Sequence, residues 1–183
     1  LWRNSAGRCS LAIEPNLALM YHRNVKIMDI FISRIFLEIA GTTLSFIILI
    51  GFFMFIGEIE SPHNILLVIF AWLLLIWFAV ALGFCIGSMS ELSPFFDRLW
   101  HTLTYLLFPI SGALFMVSWL PTNVRDIVLW IPMVHTTEML RDGFFGNIVQ
   151  AYYDLSYFFI FTIILSIIGF SLSKILEKRL QPE

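Results

Sequence analysis

The stretch 64-NILLVIFAWLLLIWFAVALGFCIGSMS-90 decides the fold, because it contains no Asp, Glu, Lys or Arg. About 20 consecutive apolar residues suffice to cross the hydrocarbon core of a bilayer as a helix. Asn64–Ser90 exceeds that length, so its ends extend past the core or the helix tilts. Three further uncharged runs flank it, at Ile39–Gly57, Leu99–Val124 and Leu155–Ser173. Four spanning helices are therefore expected, in an all-α polytopic membrane protein.

Composition agrees with that reading. Of the 183 residues 59% are hydrophobic and 13% are charged, against about 25% charged in an ordinary soluble domain. A soluble core of this size could not conceal so much apolar surface. No basic patch lies among exposed aromatics, so nucleic acid is not an expected partner. Cys9 and Cys85 are far apart and fall in no metal or redox spacing. The chain starts at Leu1 with two arginines in its first residues, and no signal-peptide apolar region follows them. We read it as part of a longer protein.

The distribution of Lys and Arg orients the spans. Arg3, Arg8, Arg23, Lys26 and Arg34 precede the first run, Arg98 lies between the second and third, and Lys174, Lys178 and Arg179 follow the fourth. Only Arg125 and Arg141 fall on the other side, mixed with Asp126, Glu138, Asp142 and Asp154. Positive charge collects in the cytoplasm, which puts the C-terminus there. The loop Glu58–His63 is then external.

Two segments depart from plain spans. Residues 1–38 form a cytoplasmic segment whose stretch Leu11–Glu38 is amphipathic; Pro15 can open a short helix, and a second helix starts near Asp29. Arg34 and Glu38, four residues apart, can pair on it. The segment lies along the membrane face, either as an anchor to headgroups or as a docking site for a partner. The second is Arg125–Asp154, whose 11 apolar residues Ile127–Thr137 are too few for a span. Punctuated by Pro121 and Pro132 and closed by Gly143 and Gly146, it reads as an external helix–break–helix hairpin re-entering the membrane. Residues 174–183 form a cytoplasmic tail.

Within HTTEMLR, His135, Glu138 and Arg141 recur every three residues and share one helix face. They either hydrogen-bond to hold the hairpin together or line an exit for a polar substrate, and both can hold. One His and one Glu make no zinc site, and no metal is expected. Gly83 and Gly87 form G-x-x-x-G, the spacing that lets membrane helices approach closely. Pro109 should kink the third run. Trp100, Trp119, Trp130, Tyr152, Tyr153 and Tyr157 sit near interfaces as a belt would, and some aromatics, Tyr105 and Trp119 among them, could stack on sugar rings. No carboxylate lies within a span, as ion-coupled transporters usually require. No G-x-x-x-x-G-K-[ST] loop is present either, so an ATP-driven action must take its energy from another chain. A membrane serine protease finds no GxSxG-like context.

The stretches 12-AIEPNLALMYHRNVKIMDIFISRIFLE-38 and 132-PMVHTTEMLRDGFFGN-147 resemble ABC-2-type permeases that export capsular polysaccharide. The resemblance covers nearly the whole chain. It implies a six-span fold of which this chain holds the last four, working as a homodimer with a peripheral ATPase that carries ATP and Mg. It implies no cofactor on this chain and a bacterial inner-membrane location. A lipid-linked acidic polysaccharide would pass between the two copies under the hairpin, toward periplasmic and outer-membrane export proteins. Ile13–His22 would be the coupling helix, with Ile13, Glu14, Asn16, Leu17 and His22 docking on the ATPase and Asp29, Arg34 and Glu38 relaying motion to the first span. His135, Glu138, Arg141, Trp119 and Tyr105 would line the path. The alternatives are a permease for O-antigen or teichoic acid, a membrane-embedded glycosyl- or acyl-transferase, and a scaffold subunit with no pathway.

Overall fold

A computed structural model describes residues 1–18, 20 and 25–180. Among the described residues the elements are helical and no strand occurs. In chain order they are α1 (Trp2–Cys9), α2 (Ile27–Ile56), α3 (Ile65–Leu92), α4 (Pro94–Phe108), α5 (Thr122–Val128), α6 (Pro132–Phe145) and α7 (Leu155–Leu180). Short 3₁₀ turns at Glu14–Asn16, Val117–Trp119 and Gly146–Ile148 and a π turn at Pro109–Ala113 join them.

Three helices, α2, α3 and α7, are long and apolar enough to cross a membrane. They follow from the first, second and fourth uncharged runs. Most of the side chains that α2 leaves exposed are themselves apolar, among them Leu44, Ile47, Ile48, Phe52 and Phe55, as suits a helix facing lipid.

The third run, Leu99–Val124, does not form one span. α4 has 15 residues, so it is about 22 Å long at 1.5 Å per residue, short of the roughly 30 Å of hydrocarbon. Pro109 ends it: proline has no N–H to give and its ring clashes with the carbonyl one turn back. Gly112 then adopts φ +78°, a left-handed conformation that side chains with a Cβ rarely take. Beyond it come the Val117–Trp119 turn, extended Leu120 and Pro121. The expected kink is a full break.

The described chain divides into two compact units. Unit 1 comprises Leu1–Ile39, Ile76–Tyr105 and the chain from Thr162. Its core gathers Cys9, Ile13, Ile27, Phe31, Ile35, Phe84 and Leu176. Phe84 meets Phe31 edge-on at 5.8 Å and Phe170 at 4.7 Å. Small residues set how closely these helices pack. A Cβ on Gly87 would stand 2.8 Å from the Cys9 Cβ and 3.0 Å from Phe31, and one on Gly83 would stand 2.9 Å from Ile35. Gly169 similarly lies against the Ala81 carbonyl and the Cys85 amide, where a Cβ would come to 3.0 Å.

Unit 2 comprises Ala40–Leu75 and Leu106–Phe161. Asn64 caps α3 by accepting from the Leu67 amide at 3.2 Å, an N-terminal donor that would otherwise lack a partner. Asp154 caps α7 by accepting from the Ser156 and Tyr157 amides. Trp72 donates its indole N–H to Thr43 at 3.0 Å and stacks on Phe46. A break at Leu129–Ile131 separates α5 from α6.

Leucine at Gly87 should cost about 1–3 kcal/mol by overpacking, because Cys9 Cβ and the Phe31 ring leave it no volume. Leucine at Gly41 or Gly51, where a Cβ meets nothing within 4 Å, should be tolerated. Thermal unfolding of the purified variants in detergent distinguishes the two sets.

Candidate functional site

Pro132 opens α6 at its first turn, where the missing N–H costs nothing. The helix buries Val134, His135, Glu138 and Met139. His135, Glu138 and Arg141 thus fall on a face turned inward, with Glu138 fully buried. A buried carboxylate costs several kcal/mol unless it is paired and hydrogen-bonded. Glu138 meets both conditions. Its Oε1 accepts from Arg141 Nη1 at 2.9 Å and from the Val117 amide at 3.2 Å, and its Oε2 accepts from the Tyr152 amide at 3.4 Å.

Arg141 completes the arrangement. It donates from Nη1 to the Phe115 carbonyl at 2.7 Å and from Nη2 to the Gly112 carbonyl at 2.5 Å. Both carbonyls belong to the irregular stretch after Pro109, which no longer supplies helical partners. Thr137 seals the same stretch: its Oγ1 would lie 2.7 Å from a Cβ on Gly112 and donates to the Val134 carbonyl at 2.9 Å. Position 112 therefore needs glycine for its φ and for its space.

His135 joins two other breaks. The Asp154 amide donates to Nδ1 at 2.9 Å, and Nε2 lies 2.8 Å from the Leu129 carbonyl. Since an amide can only donate, Nδ1 is the acceptor and Nε2 carries the proton. The ring is fixed as the neutral Nε2–H tautomer. Burial pushes its pKa below the usual histidine value, opposed by the Leu129 carbonyl and Asp154. His135 also floors a pocket of about 420 Å³ walled by Tyr152, Tyr153 and Tyr157. Tyr157 lies 5.2 Å from the imidazole and donates its hydroxyl to the Trp130 carbonyl. Arg125 lies 4.1 Å over the Tyr152 ring, and Trp119 and Trp130 are largely exposed.

The trio is thus occupied by backbone on every side. A neutral histidine with both nitrogens engaged, next to a carboxylate with both oxygens accepting, can brace a chain; it does not present a base to a cavity. Among the described residues no three metal-ligating groups gather.

The other candidate residues lie in unit 1. Ile13 is 2% exposed and packs in the core, so its side chain offers no surface for docking. Its amide donates to Glu91 Oε1 at 2.9 Å. Glu14 and Leu17 are exposed, and Asn16 is half-buried with its amide donating to the Ala12 carbonyl. His22 and part of the expected coupling helix lie outside the described residues. Ser10 donates to Asp97, so the segment is tied to the α3–α4 junction by two carboxylates that sequence reading missed. Asp29 accepts from the Lys26 amide at 3.0 Å and so caps α2. Glu38 pairs with Arg8 of α1 at 2.8 Å. Tyr105 is exposed and lies under Arg3, in unit 1 rather than with the hairpin residues of unit 2.

Residues 13–145 match the family model described as ABC-2 type transporter. The chain belongs to that family. It is 37% identical over 183 residues to the capsule polysaccharide export inner-membrane protein BexB of Haemophilus influenzae, covering 100% of this chain and 69% of the relative. It is 38% identical to the capsule polysaccharide export inner-membrane protein CtrC of Neisseria meningitidis serogroup B, with the same coverage. The polysialic acid transport protein KpsM of Escherichia coli is 27% identical over 169 residues, 92% of this chain and 66% of that protein. The match to the ABC-2 type transporter model takes in the Glu14–Asn16 turn, the broken helix and the whole of α6.

Arg141→Ala should destabilise this ABC-2 chain by about 3–5 kcal/mol, since it strands a buried carboxylate. Replacing both partners, as Glu138→Gln with Arg141→Met, should cost less than the single change if charge burial dominates. Denaturant titration of the purified variants compares them. His135 yields a pH dependence. In the unfolded chain histidine takes up its proton near pH 6.5, while the folded value lies lower. Its contribution to stability is therefore whole above about pH 6.5 and is lost as pH falls through the folded value. Melting temperature against pH should be flatter for His135→Gln.

Proposed function

We propose that this chain is the membrane permease of an ATP-driven exporter that moves lipid-linked acidic capsular polysaccharide across the bacterial inner membrane. The observation that carries this reading is the similarity over the full chain to relatives named as capsule polysaccharide export inner-membrane proteins. ATP and Mg belong to a separate ATPase subunit, two permease copies enclose the path, and periplasmic and outer-membrane export proteins receive the product. Nine Lys and Arg against two support a cytoplasmic C-terminus.

Glu14, Asn16 and Leu17 are the surface on which the ATPase docks, and buried Ile13 anchors that surface from behind. Motion of the turn reaches the helices by two routes. One runs from Ile13 and Ser10 through Glu91 and Asp97 into the α3–α4 junction. The other runs from α1 through Arg8 to Glu38 on α2. Asp29 and Arg34 contribute to the second by holding the start of α2. The hairpin of α5 and α6 re-enters the outer half of the membrane. Backbone at that depth needs protein around it, and the Glu138–Arg141 brace supplies it. The exposed aromatics beside the hairpin, Trp119 and Trp130, then face the exit.

The test is complementation of a capsule-negative strain lacking this permease. The wild-type gene should restore surface capsule. Glu14→Lys should abolish it while the protein stays at normal level in the membrane and loses co-purification with the ATPase. Normal export by Glu14→Lys sinks the docking surface. Turnover of a lipid-linked donor by the purified permease without the ATPase would favour a transferase instead.

A further inference from the structure

The brace around Glu138 accounts for the backbone of unit 2 but not for the pocket beside it. Tyr152, Tyr153 and Tyr157 wall about 420 Å³ together with Asp154 and His135, within the ~300–1,000 Å³ of small-ligand clefts. Two of the phenols are already spent as donors, Tyr153 to Asp142 and Tyr157 to the Trp130 carbonyl. Their rings remain, and an aromatic face attracts a cation.

Asp154 supplies the negative charge. Its Oδ1 accepts from the Ser156 and Tyr157 amides, and among the described residues no donor reaches Oδ2. His135 brings no charge, because its Nδ1 accepts from the Asp154 amide while Nε2 lies against the Leu129 carbonyl. Among the described residues no lysine or arginine lines the pocket. The N-terminus of α7 adds a partial positive charge of about half a unit, less than the full charge of Asp154. The pocket is therefore a carboxylate set among aromatic rings, complementary to a cation.

Its depth and its neighbours say which cation. The uncharged part of α7, Leu155–Ser173, is about 28 Å long at 1.5 Å per residue, close to the roughly 30 Å of hydrocarbon. Asp154, directly before that run, stands at the level of the lipid headgroups. A positive charge lies next to the tyrosines: Arg125 is 4.1 Å over the Tyr152 ring. It donates from Nη2 to the Leu120 carbonyl, and its buried Nε has no partner. The same helix, α5, exposes Val124 and Ile127, three residues apart on one face.

We propose that this pocket holds the ammonium of a phosphatidylethanolamine headgroup, with its phosphodiester turned to Arg125. The ammonium sits against the Tyr153 and Tyr157 rings and donates to Asp154 Oδ2. The guanidinium donates to a phosphate oxygen, and the acyl chains lie along Val124 and Ile127. Such a lipid fastens the start of α7 to the hairpin. The site asks nothing of the transported molecule, so it stands or falls separately from the permease reading.

The test places the complete protein in nanodiscs of equal phosphatidylethanolamine and phosphatidylglycerol, and native mass spectrometry counts the lipid retained. The wild type should keep phosphatidylethanolamine in preference. Asp154→Asn should lower that retention about tenfold, the scale of one lost charge-assisted contact. Its melting temperature should not change, because asparagine caps a helix as well as aspartate does. Tyr153→Leu should lower retention about threefold by removing a ring face. Retention left intact by excess ethanolamine phosphate identifies the lipid as the occupant; displacement at equal concentration makes the free ester the occupant and overturns the lipid assignment. Equal retention of both lipids by the wild type, or undiminished retention by both variants, overturns the pocket itself.

Discussion

The buried pair of Glu138 and Arg141 is the interaction on which unit 2 depends. A helix broken after Phe108 leaves carbonyls and amides without helical partners, and in an apolar surrounding each such group costs several kcal/mol. Two side chains one turn apart on α6 collect three of them, the carbonyls of Gly112 and Phe115 and the amide of Val117, together with the Tyr152 amide from the segment after α6. The pair also neutralises itself, so neither charge is buried alone. A neutral hydrogen-bonding residue could serve one or two of these groups. Only an acceptor with two oxygens beside a donor fork reaches carbonyls and amides on several strands of irregular chain at once.

Unit 1 is held by a different means. There the determinant is the absence of side-chain volume at Gly83, Gly87 and Gly169, which brings helices into van der Waals contact with Cys9, Ile35, Phe31 and the backbone of α3. Between lipid-solvated helices apolar burial gives little net attraction, so close packing carries the association. The two units thus divide the work. One is packed for contact, and the other is wired by polar groups around a break.

Much of this was legible in the residues. Three of the four uncharged runs located α2, α3 and α7, and the three-residue spacing in HTTEMLR located the brace. Two features were not. Pro109 signalled a bend, but a full break also depends on the left-handed Gly112 and on Arg141 receiving the freed carbonyls, and those partners are main-chain atoms that no side-chain pattern encodes. Ile13 looked like part of an exposed amphipathic surface because period alone does not reveal which face meets protein. Its amide bond to Glu91, distant in sequence, is what turns it inward.

The brace reads backbone rather than side chains, and this has a consequence for how such a chain can diversify. Arg141 and Glu138 bond to the peptide groups of Phe115 and Val117, whatever side chains those positions carry. Ala113 and Leu114, whose side chains are exposed, can therefore change their chemistry while the architecture of the break is kept. A segment built this way resembles an interchangeable surface on a fixed frame. Changing its chemistry requires substitutions only on that surface, with no redesign of the fold that holds it.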